Sequence, residues 1–340
     1  MPDRSGPPFM TAGPQPVPAA SGAVASNLVG ILCAMGAATA FSLNDVAIKY
    51  LSGDYPLHQI TFIRSLIGIT VTLAVFVPLD GSYRDLRTDR LGFHLMRGMI
   101  VVCANMTFYA ALATLPLGEA TAIYFVGPLF ITALSVVLLG ETVGPRRWFA
   151  VLVGLAGVLI VIRPGGSAFQ YAALLPLIAA FGYSLFQITT RKLGLAAKAS
   201  TMSFYINLVF IGFSGMVGLV FGDGRYSGTG NANLEFLLRA WTWPPAGDVA
   251  LLAAIGVIAS TGGYLVSQAY RQSQAGLIAP FEYIALPLAI FWSIMIWGDW
   301  PDAVAWLGIA LIAAAGFYVL YREAALGRRI RWKTPFRRER

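Results

Sequence analysis

The sequence predicts an all-α membrane protein with ten transmembrane helices laid out as two inverted five-helix repeats, and three observations predict it. Of the 340 residues, 57% are hydrophobic and only 12% charged, with a mean hydropathy of +0.69; a soluble domain needs roughly a quarter of its residues charged to clothe its surface. Apolar runs of roughly 20 residues, long enough to span a bilayer's hydrocarbon layer, recur from Leu28 to Tyr321 with short polar breaks. The basic residues, finally, concentrate in alternate loops, as a chain that crosses repeatedly requires.

Residues 1–26, MPDRSGPPFMTAGPQPVPAASGAVAS, are rich in proline, glycine and small residues and lack the continuous apolar core of a secretory signal. They read as a disordered cytoplasmic tail. The spans follow at 28–48, 59–78, 91–113, 118–139, 147–162, 170–190, 201–221, 249–270, 275–297 and 302–321. With the amino terminus inside, the inner segments hold Arg4, Arg84, Arg87, Arg90, Arg146, Arg147, Arg191, Lys192, Lys198, Arg271 and the carboxy-terminal cluster, and the outer ones only Lys49, Arg163, Arg225 and Arg239. That bias supports an even number of spans with both termini in the cytoplasm, and the expected location is a bacterial inner membrane. Residues 323–340 form a basic tail, and eight of the 24 Lys and Arg residues fall from Arg322 to Arg340. A juxtamembrane cluster of this kind suits anionic lipid headgroups, so the net charge of +8 carries no nucleic-acid reading.

Two stretches resemble each other. YFVGPLFITALSVVLLGE (Tyr124 to Glu141) and YIALPLAIFWSIMIWGD (Tyr283 to Asp299) each place a tyrosine four residues before a proline, then an apolar run, then Gly-Glu or Gly-Asp at the exit. AFSLNDVAIKYL (Ala40 to Leu51) weakly echoes AFGYSLFQITTRKL (Ala180 to Leu193). The halves therefore divide as 27–163 and 164–322, and five spans being odd, the second enters the membrane in the opposite sense. Inverted halves can exchange conformations about a central site, which is the geometry of a carrier; duplication that merely made a stable bundle is the alternative.

The ten-span plan, the paired halves, FIRSLIG in the second span, and proline-bearing fourth and ninth spans closing in LLGE and IWGD resemble the EamA-type proteins of the drug/metabolite transporter superfamily. The resemblance implies secondary transport of a small organic metabolite by alternating access, with no cofactor and no catalytic role. It implies either export of amino acids and other metabolites or uptake of compounds such as riboflavin or S-adenosylmethionine, and IAPFEYIALPLA (Ile278 to Ala289) resembles the uptake kind.

Charges inside hydrocarbon cost about 2.5 to 3.5 kcal/mol each on insertion scales, so they should face the bundle interior. Arg64 either grips a substrate carboxylate or phosphate with its planar fork or makes a structural ion pair. Arg97, nearer the cytoplasmic end of its span and within reach of the headgroups by snorkelling, has the same two readings, the structural one ahead. Asp45 and Lys49, four apart, share a helix face as an ion pair or a gate, with Asn44 beside them as a cavity-lining candidate. Glu282 lies between Pro280 and Pro287, where the helix cannot satisfy all its carbonyls, and is the candidate for proton coupling; its alternative is a neutral, fixed carboxyl. Glu119 reads as solvated. Tyr124 and Tyr283 occupy matching places in the repeats and, with Tyr109, Phe125, Phe281 and Trp292, suggest an aromatic box for a planar or cationic ligand. Asn105, Gln187, Asn207 and Gln268 either line the cavity or join helix to helix.

Other classes find little support in the sequence. There is no Walker lysine loop, no HExxH and no GxSxG. His58 and His94 fall on opposite sides of the membrane in this topology, which disfavours a lipid-modifying enzyme. Cys33 and Cys103 sit within spans as small packing residues, with no metal or disulfide implied. A receptor that binds without moving its ligand stays open, as does the oligomeric state.

Overall fold

The structure, a computed structural model, describes residues 20–140, 144–164, 170–193, 198–272 and 281–327. No strand occurs among them. Seven helices are long and apolar enough to cross a membrane: Leu28–Leu51, Leu57–Asp80, Leu91–Leu112, Leu117–Leu138, Tyr171–Thr189, Ala199–Phe221 and Ala246–Ala269. Three shorter apolar helices, Trp148–Ile162, Ala285–Trp297 and Ala303–Val319, fall where the remaining spans were expected. Leu219 and Val137 are 89% and 78% exposed; a bundle with such side chains on its outer surface is built to meet lipid.

The long segments are numbered α1 (Ala20–Leu51), α2 (Leu57–Asp80), α3 (Leu91–Leu112), α4 (Leu117–Tyr124 continuing as Gly127–Leu139), α5 (Pro145–Ile162), α6 (Leu174–Leu193), α7 (Ala199–Phe221), α8 (Ala246–Gln272), α9 (Ala285–Trp297) and α10 (Ala303–Gly327). α1 starts at Ala20, so it takes in the end of the stretch read above as a tail, where ASGAVAS contains the strong helix former alanine. The rest of that tail, and the basic tail from residue 328 with its expected lipid contacts, lie outside the described residues.

The halves pack across each other. α1 lies on α8 and α3 on α6; α2 lies on α8 and α3 on α7; α2 meets α7, α5 meets α10, and the first leg of α4 meets α9. Shifting every helix number by five, and counting on from α10 to α1, turns α1–α8 into α6–α3 and α2–α8 into α7–α3. The other three pairs map onto themselves. Close approach is built in at α5 and α10, where a Cβ on Gly157 would lie 2.9 Å from the Gly308 carbonyl oxygen and one on Gly308 2.7 Å from that of Gly157. Only glycine allows such contact.

The repeated Tyr-x-x-x-Pro stretches fold alike. A proline has no N–H to give and its ring crowds the carbonyl four residues back, which for Pro128 is Tyr124 and for Pro287 is Tyr283. The chain leaves the helix at those places, turning at Phe125–Val126 in one half and at Tyr283–Ile284 in the other. Each break is followed by a helix, Gly127–Leu139 or Ala285–Trp297, that ends on a left-handed glycine, Gly140 at φ 69° or Gly298 at φ 70°. Glycine is suited to that cap because it has no Cβ to clash.

Candidate functional site

The two breaks meet. The Tyr283 hydroxyl donates to the Phe125 carbonyl at 3.3 Å, and the two rings pack with centroids 4.7 Å apart. Ser184 of α6 donates to the carbonyl of Gly127 at 3.0 Å. The Phe125 carbonyl, at the first break, is thus taken up by a side chain from the other half.

An aromatic run extends from this contact. Phe108 of α3 packs on Tyr124 at 4.9 Å, Tyr124 on Tyr183 of α6 at 5.7 Å, and Tyr183 on Phe186 at 5.9 Å. Gln187, one turn past Tyr183, donates to the Tyr183 hydroxyl at 2.7 Å. Glu282 lies within electrostatic reach of Tyr124, Tyr183 and Tyr283. Rings carrying hydroxyl tips, with a carboxyl beside them, offer flat apolar faces and hydrogen-bonding edges together.

Next to this run, Arg64 is only 6% exposed. Its Nη1 donates to Asn44 Oδ1 at 3.2 Å and to the Tyr109 hydroxyl at 3.1 Å, and its guanidinium lies over the rings of Phe210 and Tyr109. Asn44 Nδ2 in turn donates to Tyr109 and to the Asp45 carboxylate. This is a closed network on α1, α2 and α3, each member satisfying another. Asn105 stands one turn from Tyr109 on α3, half-buried.

Several expected placements change. Lys49 does not pair with Asp45: its ammonium donates to the carbonyls of Leu112 and Leu115 at 3.2 and 2.6 Å and lies over the Trp297 ring. The α3–α4 turn exposes free carbonyls within the lysine's reach, while Asp45 accepts from Asn44. Gln268 is away from the aromatic run; it donates to Asp80 Oδ1 and to Tyr264, near the end of α2. Trp292 packs half-buried against the hydrophobic core and edge-on to Phe291. Phe281 joins a separate small cluster with Ala34 and Ala269. Asn207 hydrogen-bonds back to Ser203 on its own helix. Beside Tyr283 an apolar hollow of about 330 Å³ is lined by Leu286, Pro287 and Phe317, without the polar groups a metabolite would need.

Both ends of the bundle are tied across the halves. At the end bearing the arginine-rich 81–90 loop, Ser200 N and Gln268 donate to Asp80, and Lys198 makes an ion pair with Asp85 at 2.7 Å. The Lys198 ammonium holds the Asp85 carboxyl below the usual carboxylate range. At the opposite end Gln59 exchanges two hydrogen bonds with the backbone of Thr242, Arg239 donates to Ser52 and Gly53, and Tyr55 donates to Asp248 at 2.5 Å. That last bond pushes the Tyr55 phenol up to about 12.

Tyr183, Phe108 and Phe186 were not singled out from the sequence, although Tyr183 lies four residues before Gln187 and so shares its helix face. Lys198 was counted only among the inner basic residues, and Asp80 and Asp85 were not singled out; nothing in their spacing announces a contact across more than a hundred residues.

A polytopic helical bundle with broken helices meeting over an aromatic, arginine-bearing interior defines a membrane protein of the small-molecule transporter class. Residues 28–163 match the model of the EamA-like transporter family. The chain is similar to a riboflavin transporter of Vibrio cholerae, at 29% identity over 89% of this chain and 97% of that one. It is also similar to an S-adenosylmethionine uptake transporter of Rickettsia prowazekii, at 25% identity over 83% and 89%, and to a pseudopaline exporter of Pseudomonas aeruginosa, at 26% over 84% and 94%. A crystal structure at 19% identity superposes over 92% of this chain and 100% of its own with a TM-score of 0.58, which speaks to the fold alone.

Proposed function

We propose that the protein is a secondary carrier for a small organic metabolite with a planar ring, working by alternating access between two inverted five-helix halves whose termini both lie in the cytoplasm. The observation that carries the reading is the meeting of the two helix breaks at Tyr283 and Phe125, inside a packing scheme that maps onto itself when the halves are exchanged. A contact between symmetry-related breaks is a natural pivot, because each half can tilt about it without leaving a carbonyl unpaired for long. Relatives named for riboflavin and S-adenosylmethionine suggest the ligand class, since both compounds carry a flat heteroaromatic system that the Tyr124–Tyr183 run can stack. Glu282, in electrostatic reach of Tyr124, is the candidate group for exchanging a proton with the bound state.

Counterflow in proteoliposomes tests this. Unlabelled riboflavin or S-adenosylmethionine trapped inside should drive entry of the labelled compound, and Glu282→Gln should keep that exchange while losing accumulation driven by a proton gradient. Binding without counterflow would make the protein a receptor, and undiminished accumulation in the variant would remove Glu282 from coupling.

A further inference from the structure

Arg97 is 4% exposed, yet no hydrogen bond or ion pair reaches it among the described residues, and its Nε is a buried donor without a partner. Its surroundings rule out an escape to lipid by simple extension. On the same helix Leu95, Met96 and Met99 are the exposed side chains, at 39%, 47% and 43%, so α3 turns those positions outward and Arg97 inward. Its guanidinium lies face-on over the Phe186 ring at 4.8 Å, with His94 in electrostatic range. A guanidinium held by its face has its N–H edge free, and that edge is the part that recognises carboxylate and phosphate two bonds at a time. Arginine does not shed its proton, so the charge stays whether or not an anion answers it.

The position is suggestive. Phe186, under Arg97, belongs to the aromatic run and packs on Tyr183, which packs on Tyr124. An anion on Arg97 would therefore stand at the end of the stacked tyrosines, toward the end that carries the 81–90 loop. We propose that Arg97 is the anion-binding point of the site: it takes a carboxylate or phosphate carried by the substrate whose ring lies along Tyr124, Tyr183 and Phe186. The substrate class is then a planar compound with an anionic group, which rests on the transport reading above. Arg64, whose Nη1 is engaged by Asn44 and Tyr109, is the positioning residue for that network.

The test uses the purified full-length protein, in nanodiscs of neutral phosphatidylcholine, and follows its thermal midpoint. Sodium phosphate, compared with sodium chloride at matched ionic strength, should raise the midpoint of the wild type and leave Arg97→Gln unmoved, with Arg97→Lys between them. Two compound pairs then locate the anion: flavin mononucleotide against riboflavin, and S-adenosylmethionine against its decarboxylated form. In at least one pair the anionic member should bind about tenfold more tightly to the wild type, as loss of one charge-assisted contact implies, and the advantage should vanish in Arg97→Gln. Phosphate protection that is the same in Arg97→Gln, or absent from the wild type, overturns the proposal. An Arg97-dependent rise produced by phosphatidylglycerol nanodiscs, with no preference for the anionic compounds, also overturns it by assigning the anion to a lipid headgroup. Failure of counterflow with phosphate protection intact would instead sink the transport reading and leave the anion site standing.

Discussion

Arg64 and Arg97 are both sealed inside the bundle, at 6% and 4% exposure, and each lies over a phenyl ring. They differ in what meets their edges. Arg64 finds Asn44 and Tyr109, two neutral groups from neighbouring helices of its own half, which also bond to each other. Arg97 finds no such partner among the described residues. A fold that hydrogen-bonds one buried guanidinium through its Nη1 and leaves the other without a hydrogen bond has spent stability at the second place, which is where natural proteins tend to keep their functional groups.

The largest effect expected from that contrast is on stability. Arg64→Ala strips donors from Asn44 Oδ1 and the Tyr109 hydroxyl and should cost about 2 to 4 kcal/mol, by the usual penalty for orphaned buried polar groups. Arg97→Met should be neutral or stabilising, since it removes a buried charge that had no partner. Unfolding in mild detergent measures both, and equal losses would erase the distinction. A middle-sized effect falls on binding: Tyr183→Ala should weaken a planar ligand by about tenfold through loss of a ring face, whereas Tyr183→Phe, losing only the Gln187 bond, should change it about twofold. Equal losses would mean that Tyr183 acts through its hydroxyl alone. The smallest effect is the acid sensitivity of the 81–90 end. Asp85 is held low by Lys198, so the tie is complete above the ordinary carboxylate pKa of ~3.9 and is lost as pH falls through the depressed value. Protease access to the 81–90 loop should rise in that acid range for the wild type, and be raised already at neutral pH in Lys198→Ala.

The fold was legible where one local rule acts alone. Apolar length fixed the positions of the helices, and the Tyr-x-x-x-Pro pattern in each half marked both breaks, because proline acts on the carbonyl four residues back wherever it stands. The site was legible only in part. Asn44, Arg64, Tyr109, Tyr124 and Gln187 do gather in the interior with Tyr283. Gln268 sits with Asp80, and Lys49 goes to two backbone carbonyls instead of to Asp45. Helical spacing tells which residues share a face, but the partner of that face is chosen by packing between helices far apart in sequence, and no spacing rule reports it. The contrast between the arginines was hidden for the same reason, since depth in the span does not tell which groups meet a guanidinium's edge.

The central claim is that two inverted halves tilt about the Tyr283–Phe125 contact, opening one end as the other closes. Spin labels on Asp54 and Trp243, exposed on either side of one end, and on Leu79 and Met202 across the other, report both separations in the same preparation. On adding transported substrate or a proton gradient, the account predicts opposite changes, one distance lengthening while the other shortens. Distances that move together, or that stay fixed while substrate is turned over, would contradict it.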